Sequence, residues 1–254
     1  MTTPRWSEFG QLRRLLPLLA AALLLVALAL PMWRIEMNAV QYPSETLQLG
    51  LYAYPRVSGD YVEIARLNQY IGFYYPDPVY WPPNYEPHPK AIDVPEWSFG
   101  PLAFVGVAAT GAFVALAPTV RKLKLGLNAQ FAGSMLVFGG MLADIQYRLY
   151  QAGHTLDPDA PVMGVDPFTP PLLGSYGVAN ITSYSRFGAG AYLSMLAIGL
   201  LAAAWLARDS TATVRDVPRL LRALPDRFRD RPAAPDGTRG DQSTTAQSEE
   251  RVSR

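Results

Sequence analysis

Cysteine is absent from this chain of 254 residues. That excludes disulfides, thiolate metal sites, CxxC redox chemistry and thioether haem attachment. Histidine is nearly as scarce, with only His88 and His154, and lysine is confined to Lys90, Lys122 and Lys124. No nucleophile elbow, phosphate-binding loop, HExxH zinc pair or dinucleotide fingerprint occurs, so nothing in the sequence points to an enzyme. Net charge is only +1, which implies no overall attraction to nucleic acid. What the chain does have is apolar residues, which make up 50% against 17% charged. A mean hydropathy of +0.06 conceals two populations, long uncharged runs and polar loops.

The uncharged runs have membrane-spanning length, since about 20 helical residues cross a hydrocarbon core roughly 30 Å thick. Four are expected as transmembrane helices, at residues 15–33, 101–120, 126–146 and 188–207. Two readings of the first are open. It is a retained helix closed by the interfacial Trp33, or a signal peptide cut near Ala27-Leu28-Ala29. Small residues in the third and fourth runs (Gly133, Gly139, Gly140, Ala189, Gly190, Ser194 and Gly199) suit close helix approach or are merely tolerated there.

Charge sets the expected orientation. Residues 1–14 and the Arg121-Lys122-Leu123-Lys124 turn are basic and belong in the cytoplasm. Segments 34–99 and 147–187 carry more acid than base and belong outside. Leu47, Leu49 and Leu51 alternate like a half-buried strand, and Asp60 with Glu63 resembles a capping box before a helix bearing Ile64, Leu67 and Ile71. Residues 208–231 read as a basic amphipathic segment for the inner membrane surface, and 232–254 as a disordered tail. The expected fold is mainly α and integral to the membrane. Four transmembrane helices carry a small mixed α/β extracytoplasmic domain built from two loops.

The stretch from Tyr150 to Tyr184 is the most distinctive. Five prolines (Pro158, Pro161, Pro167, Pro170 and Pro171) predict an extended ribbon rather than a helix, presenting Asp157 and His154. A cysteine-free copper site would draw on His154, His88, Met163 and Met37, because imidazole and thioether suit cuprous copper. The competing reading is that the methionines fill packing gaps and His154 bonds its own loop. Asp144 with Arg148 four residues on is either a functional carboxylate at membrane depth or an ion pair at the water interface. Asn180-Ile181-Thr182 matches a glycosylation sequon close to the fourth span.

Two blocks resemble a family of small multi-pass membrane proteins encoded beside nitrous oxide reductase and its copper-delivery lipoprotein in denitrification gene clusters. They are PMWRIEMNAVQYPSETLQLGLYAYPRVSGD with the following LNQYIGF, and GHTLDPDAPVMGVDPFTPPLLGSYGVANITSYS. The matching residues are Gln41-Tyr42-Pro43, Tyr70-Ile71-Gly72, Gly153-His154, Leu156-Asp157-Pro158, Ala160-Pro161 and Pro170-Pro171. Where that family has a histidine before Tyr-Ile-Gly, this chain has Gln69, a poor copper ligand. The resemblance covers roughly residues 31–75 and 147–190. It implies an accessory role, without assigned catalysis, in maturation, copper supply or electron supply of an extracytoplasmic copper enzyme, with that enzyme or a copper chaperone as partner. A scaffolding subunit that binds no metal is the alternative. Asp157, Gln69, Tyr70, Asp144 and Arg148 are the expected partner or loop contacts.

Overall fold

A computed structural model describes residues 10–74 and 90–218. The chain divides into two compact units, Met1–Val214 and Arg215–Arg254; of the second, only residues 215–218 are described. His88, most of the expected amphipathic segment and the expected disordered tail therefore lie outside the described residues.

The first unit is mainly helical with a small antiparallel sheet. Its elements are α1 (Leu12–Leu28), β1 (Trp33–Ala39), β2 (Leu47–Leu51), β3 (Val57–Gly59), α2 (Tyr61–Tyr70), α3 (Gly100–Leu116), α4 (Val120–His154), β4 (Gly174–Val178), β5 (Ile181–Phe187) and α5 (Ala189–Leu206). A 3-10 turn, Pro95–Phe99, leads into α3. Among the described residues, three helices are long and apolar enough to cross a membrane: Pro95–Leu116, Val120–His154 and Ala189–Leu206. Helix α1, at 17 residues, is shorter and packs along α5 and α3.

The bundle core joins Ala20, Leu24 and Ala27 of α1 with Phe104 and Val114 of α3, Leu123 and Leu127 of α4, and Ala197, Leu201 and Ala204 of α5. Small side chains set the α1–α5 spacing. A Cβ on Gly190 would stand 2.8 Å from the carbonyl oxygens of Ala27 and Leu30. Of the other candidate small residues, Ser194 is buried in α5, whereas Gly139, Gly140 and Gly199 border open space. Two polar devices interrupt the apolar packing. Arg14 donates to the carbonyls of Ala115 and Ala117, closing the C-terminal end of α3 with a cation. Gln130, fully buried, donates to the Pro17 carbonyl at 3.0 Å and ties α4 to α1.

The sheet runs β3-β2-β1-β5-β4, antiparallel throughout. Strand β1 shows why: Trp33, Ile35, Met37 and Ala39 are buried while Arg34 and Asn38 are exposed, so one face of the pleat is apolar. That face packs on Tyr61, Ile64 and Leu67 of α2 and on Leu149 and Ala152 of α4. Pairing of β1 with β5 joins the strand that leaves α1 to the strand that enters α5. The sheet thus sits at one end of the bundle.

Three local expectations change. Tyr150–His154 continue α4 instead of beginning the extended ribbon, because Leu149 and Ala152 form an apolar stripe that the sheet core receives. The 35 residues of α4 rise roughly 52 Å, well beyond a hydrocarbon core. Arg121–Lys124 form the first turn of α4 rather than a loop. Asp60 stands at the N-cap of α2 without a side-chain cap bond; its carboxylate accepts from the Gln48 amide at 2.8 Å and ties α2 to β2.

Candidate functional site

The segment after α2 and the segment after α4 are sewn together along a seam. Two backbone hydrogen bonds cross it, from the Asp157 amide to the Gly72 carbonyl at 2.9 Å and from the Val162 amide to the Tyr70 carbonyl at 3.0 Å. The Phe168 amide donates back to Gly153 at 3.1 Å, and the Phe73 and Phe168 rings stack with centroids 5.5 Å apart. Side chains anchor the far end of the ribbon. Gln146 takes both the Pro170 carbonyl and the Leu172 amide, and the Trp33 indole donates to the Leu172 carbonyl at 2.8 Å. A proline-rich strip has few amides of its own to pair, and these neighbours bond the ones that remain.

The two glycines within the matched motifs have steric reasons to be there. Gly72 has φ +74°, and a Cβ on it would meet the Asp157 backbone at 2.8 Å. A Cβ on Gly153 would overlap the Phe168 carbonyl oxygen. Both residues sit where one backbone crosses another.

Asp157 is the polar hub of the seam. Its carboxylate accepts from Lys90 Nζ at 2.6 Å, from the Tyr74 hydroxyl at 3.2 Å and from the Asp159 amide at 3.1 Å, with the side chain only 8% exposed. The hydrogen bond from Lys90 holds the carboxyl below its ordinary value, and the same bond raises Lys90. Burial, then the adjacent carboxylate, pushes the Tyr74 phenol up.

The other candidate residues occupy four different environments. His154 is exposed at the end of α4, its ring stacked on Tyr150 at 4.0 Å and its Nδ1 2.9 Å from the Tyr150 carbonyl. Met37 is 1% exposed within the sheet core, whereas Met163 is 90% exposed on the ribbon. Tyr70 is exposed and Gln69 half-buried at the end of α2. Among the described residues, no group of three or more His, Asp or Glu side chains is arranged to hold a metal ion.

Asp144 and Arg148 belong to a second site. They stand 3.7 Å apart, but the closer partner of Arg148 is Glu96, bonded through Nε at 2.8 Å and also through Nη2; Nη1 donates to Gln151. Glu96 and Asp144 thus face the same guanidinium. This trio borders a chamber of about 350 Å³ between the sheet, the 95–99 turn, α3 and α4. Its walls include Trp33, Tyr52, Phe73, Trp97 and Phe104. Sequence reasoning missed Glu96, whose partner is 52 positions away. Neither protein-family models, nor curated proteins, nor solved structures yield a match to this chain.

Proposed function

We propose that this chain is an integral membrane accessory protein whose sheet and sewn loops form an extracytoplasmic docking surface for a copper enzyme or its chaperone. Four spans, α1 and the three longer helices, would set both chain ends in the cytoplasm. Two observations support that orientation. Arg121, Lys122, Lys124 and Arg208 gather at the bundle end opposite the sheet, where Lys124 pairs with Asp209. Asp157, Asp159 and Asp166 lie on the ribbon at the other end.

The observation that carries the docking role is the seam itself. A ribbon of nineteen residues between α4 and β4 is held by side chains and backbone from four other segments, yet leaves Tyr70, His154 and Met163 exposed together with Asp159 and Asp166. A pre-ordered surface loses little entropy on binding, so it suits recognition of a folded partner. The choice of nitrous oxide reductase or its copper-delivery lipoprotein as that partner rests on the resemblance of the two blocks that build this surface.

Docking is favoured over copper holding by the position of Met37, whose thioether is enclosed in the sheet core. Maturation of the partner enzyme in cells carrying His154→Ala, Tyr70→Ala and Met163→Glu tests the reading. Loss of co-purification and of enzyme copper content is expected, with the accessory protein still folded. Unchanged maturation in all three variants would overturn it. Stoichiometric cuprous copper on the purified protein, lost in His154→Ala, would return the copper-supply reading in place of docking.

A further inference from the structure

The chamber beside Arg148 has no part in the docking surface and a different chemistry. Its walls are aromatic and aliphatic, and its polar groups, Glu96, Asp144 and Arg148, are grouped rather than scattered. Small-molecule sites of roughly 300–1,000 Å³ with apolar walls and a few convergent polar groups are the usual form of an organic ligand site. Two of its indoles are pinned in place, Trp33 by the Leu172 carbonyl and Trp97 by the Tyr52 carbonyl at 2.9 Å. The walls are therefore preformed.

The trio restricts the ligand. Two carboxyls against one guanidinium give no net positive charge, so nothing in the lining favours an anionic phosphodiester headgroup. A neutral ring bearing oxygen atoms matches. Arg148 offers N–H groups on its terminal nitrogens to a ring carbonyl, and the carboxylates of Glu96 and Asp144 accept from a ring hydroxyl. Flat conjugated rings stack on indole and phenyl faces, and a volume of about 350 Å³ holds a ring head and the start of a tail but not a two-chain lipid. The chamber also lies where α3 begins, which on the proposed orientation is the level an amphiphile in the outer leaflet would reach. We propose that it is a binding site for a membrane-soluble quinone or quinol. The ring lies against the aromatic wall that holds the indoles, its oxygens meet Arg148 and the carboxylates, and its tail runs along α3 and α4.

Trp33 and Trp97 provide the readout, because a quinone held in the chamber they line quenches their fluorescence. The probe is 2-methyl-1,4-naphthoquinone, titrated into full-length protein in detergent. Gly140→Phe fills the chamber, since Gly140 lines it and a Cβ there meets nothing within 4 Å. Gly139→Phe is the control, equally unobstructed but outside the lining. Saturable quenching in the wild type and in Gly139→Phe, weakened at least tenfold in Gly140→Phe, is the expected result. Ala103→Leu narrows the same chamber from α3 and gives the same loss should Gly140→Phe fail to fold. Linear, identical quenching in every variant means partition into the micelle and overturns the proposal. Quenching abolished by an equimolar anionic phospholipid overturns it as well, because the chamber then takes lipid.

Discussion

The two cores of this protein are built on opposite plans. In the helical bundle, apolar and small side chains meet, and few polar groups fix the geometry beyond Gln130 and Arg14. In the layer at its end, segments distant in sequence are held by backbone and side-chain hydrogen bonds, from Asp60 to Gln48, Asp157 to Gly72 and Gln146 to Leu172. On the proposed membrane placement the bundle rests on complementary shape, because lipid gives apolar surface no reason to choose one neighbour over another. The outer layer needs named partners, because its proline-rich ribbon has almost no regular structure to define it. One helix belongs to both: α4 packs in the bundle through Leu123 and Leu127 and in the sheet core through Leu149 and Ala152.

Substitutions can separate the two plans. The largest effect is expected from Gly153→Val, which forces the ribbon off the end of α4. Overpacking of this kind costs about 1–3 kcal/mol, here at the upper end because the obstructing atom is backbone. Limited proteolysis should cut within residues 155–173 while far-ultraviolet dichroism still reports the bundle. Gly190→Leu does the reverse. It wedges α1 from α5 and lowers the thermal midpoint by an overpacking cost of about 1–3 kcal/mol, and the ribbon stays protected.

Acid and alkali act on the seam through Asp157 and Lys90. Asp157 has its carboxyl lowered from 3.8 by Lys90, so its contribution is present above that ordinary value and is lost as pH falls through the folded one. Lys90 is raised from 10.5, so its contribution is present below 10.5 and is lost as pH rises through its folded value. Protection of the Asp157 amide from hydrogen exchange, after correction for intrinsic rates, should be flat between these limits and fall outside them. High salt should weaken it, since Lys90 is half exposed. The smallest effect is at the hairpin tip. Ala179 has φ +51°, so Ala179→Gly should raise the thermal midpoint slightly, by up to about 1 kcal/mol of stability.

The sequence and the structure agree most closely where physics is local. The apolar runs, the strand at Leu47–Leu51 and the helix after Asp60 were legible from composition and period. Strand β5 was not, because its inward residues after Ile181 are Ser183 and Ser185, and serine gives no hydrophobic alternation. Strand β1 does alternate, but it follows directly on the first apolar run and reads as its polar flank. The polar turns of α4 look like a loop until the sheet supplies a partner for Leu149 and Ala152. The Glu96–Arg148 contact and the chamber depend on long-range folding that no spacing encodes. Asn180, nine residues before the start of α5 in sequence, stands at the hairpin tip, at the far end of β5 from that helix. At about 3.3 Å per residue the strand separates the two by up to roughly 23 Å.

The proposed function rests on the sewn loops facing outward and the basic helix ends facing the cytoplasm. The absence of native cysteine makes this directly measurable. Met163→Cys, at a position 90% exposed on the ribbon, and Ser210→Cys, exposed just beyond α5, are treated in intact cells with a membrane-impermeant maleimide. The expected result is labelling of Met163→Cys alone, with Ser210→Cys labelled only after the membrane is opened. Labelling of Ser210→Cys in intact cells with Met163→Cys protected would contradict the account.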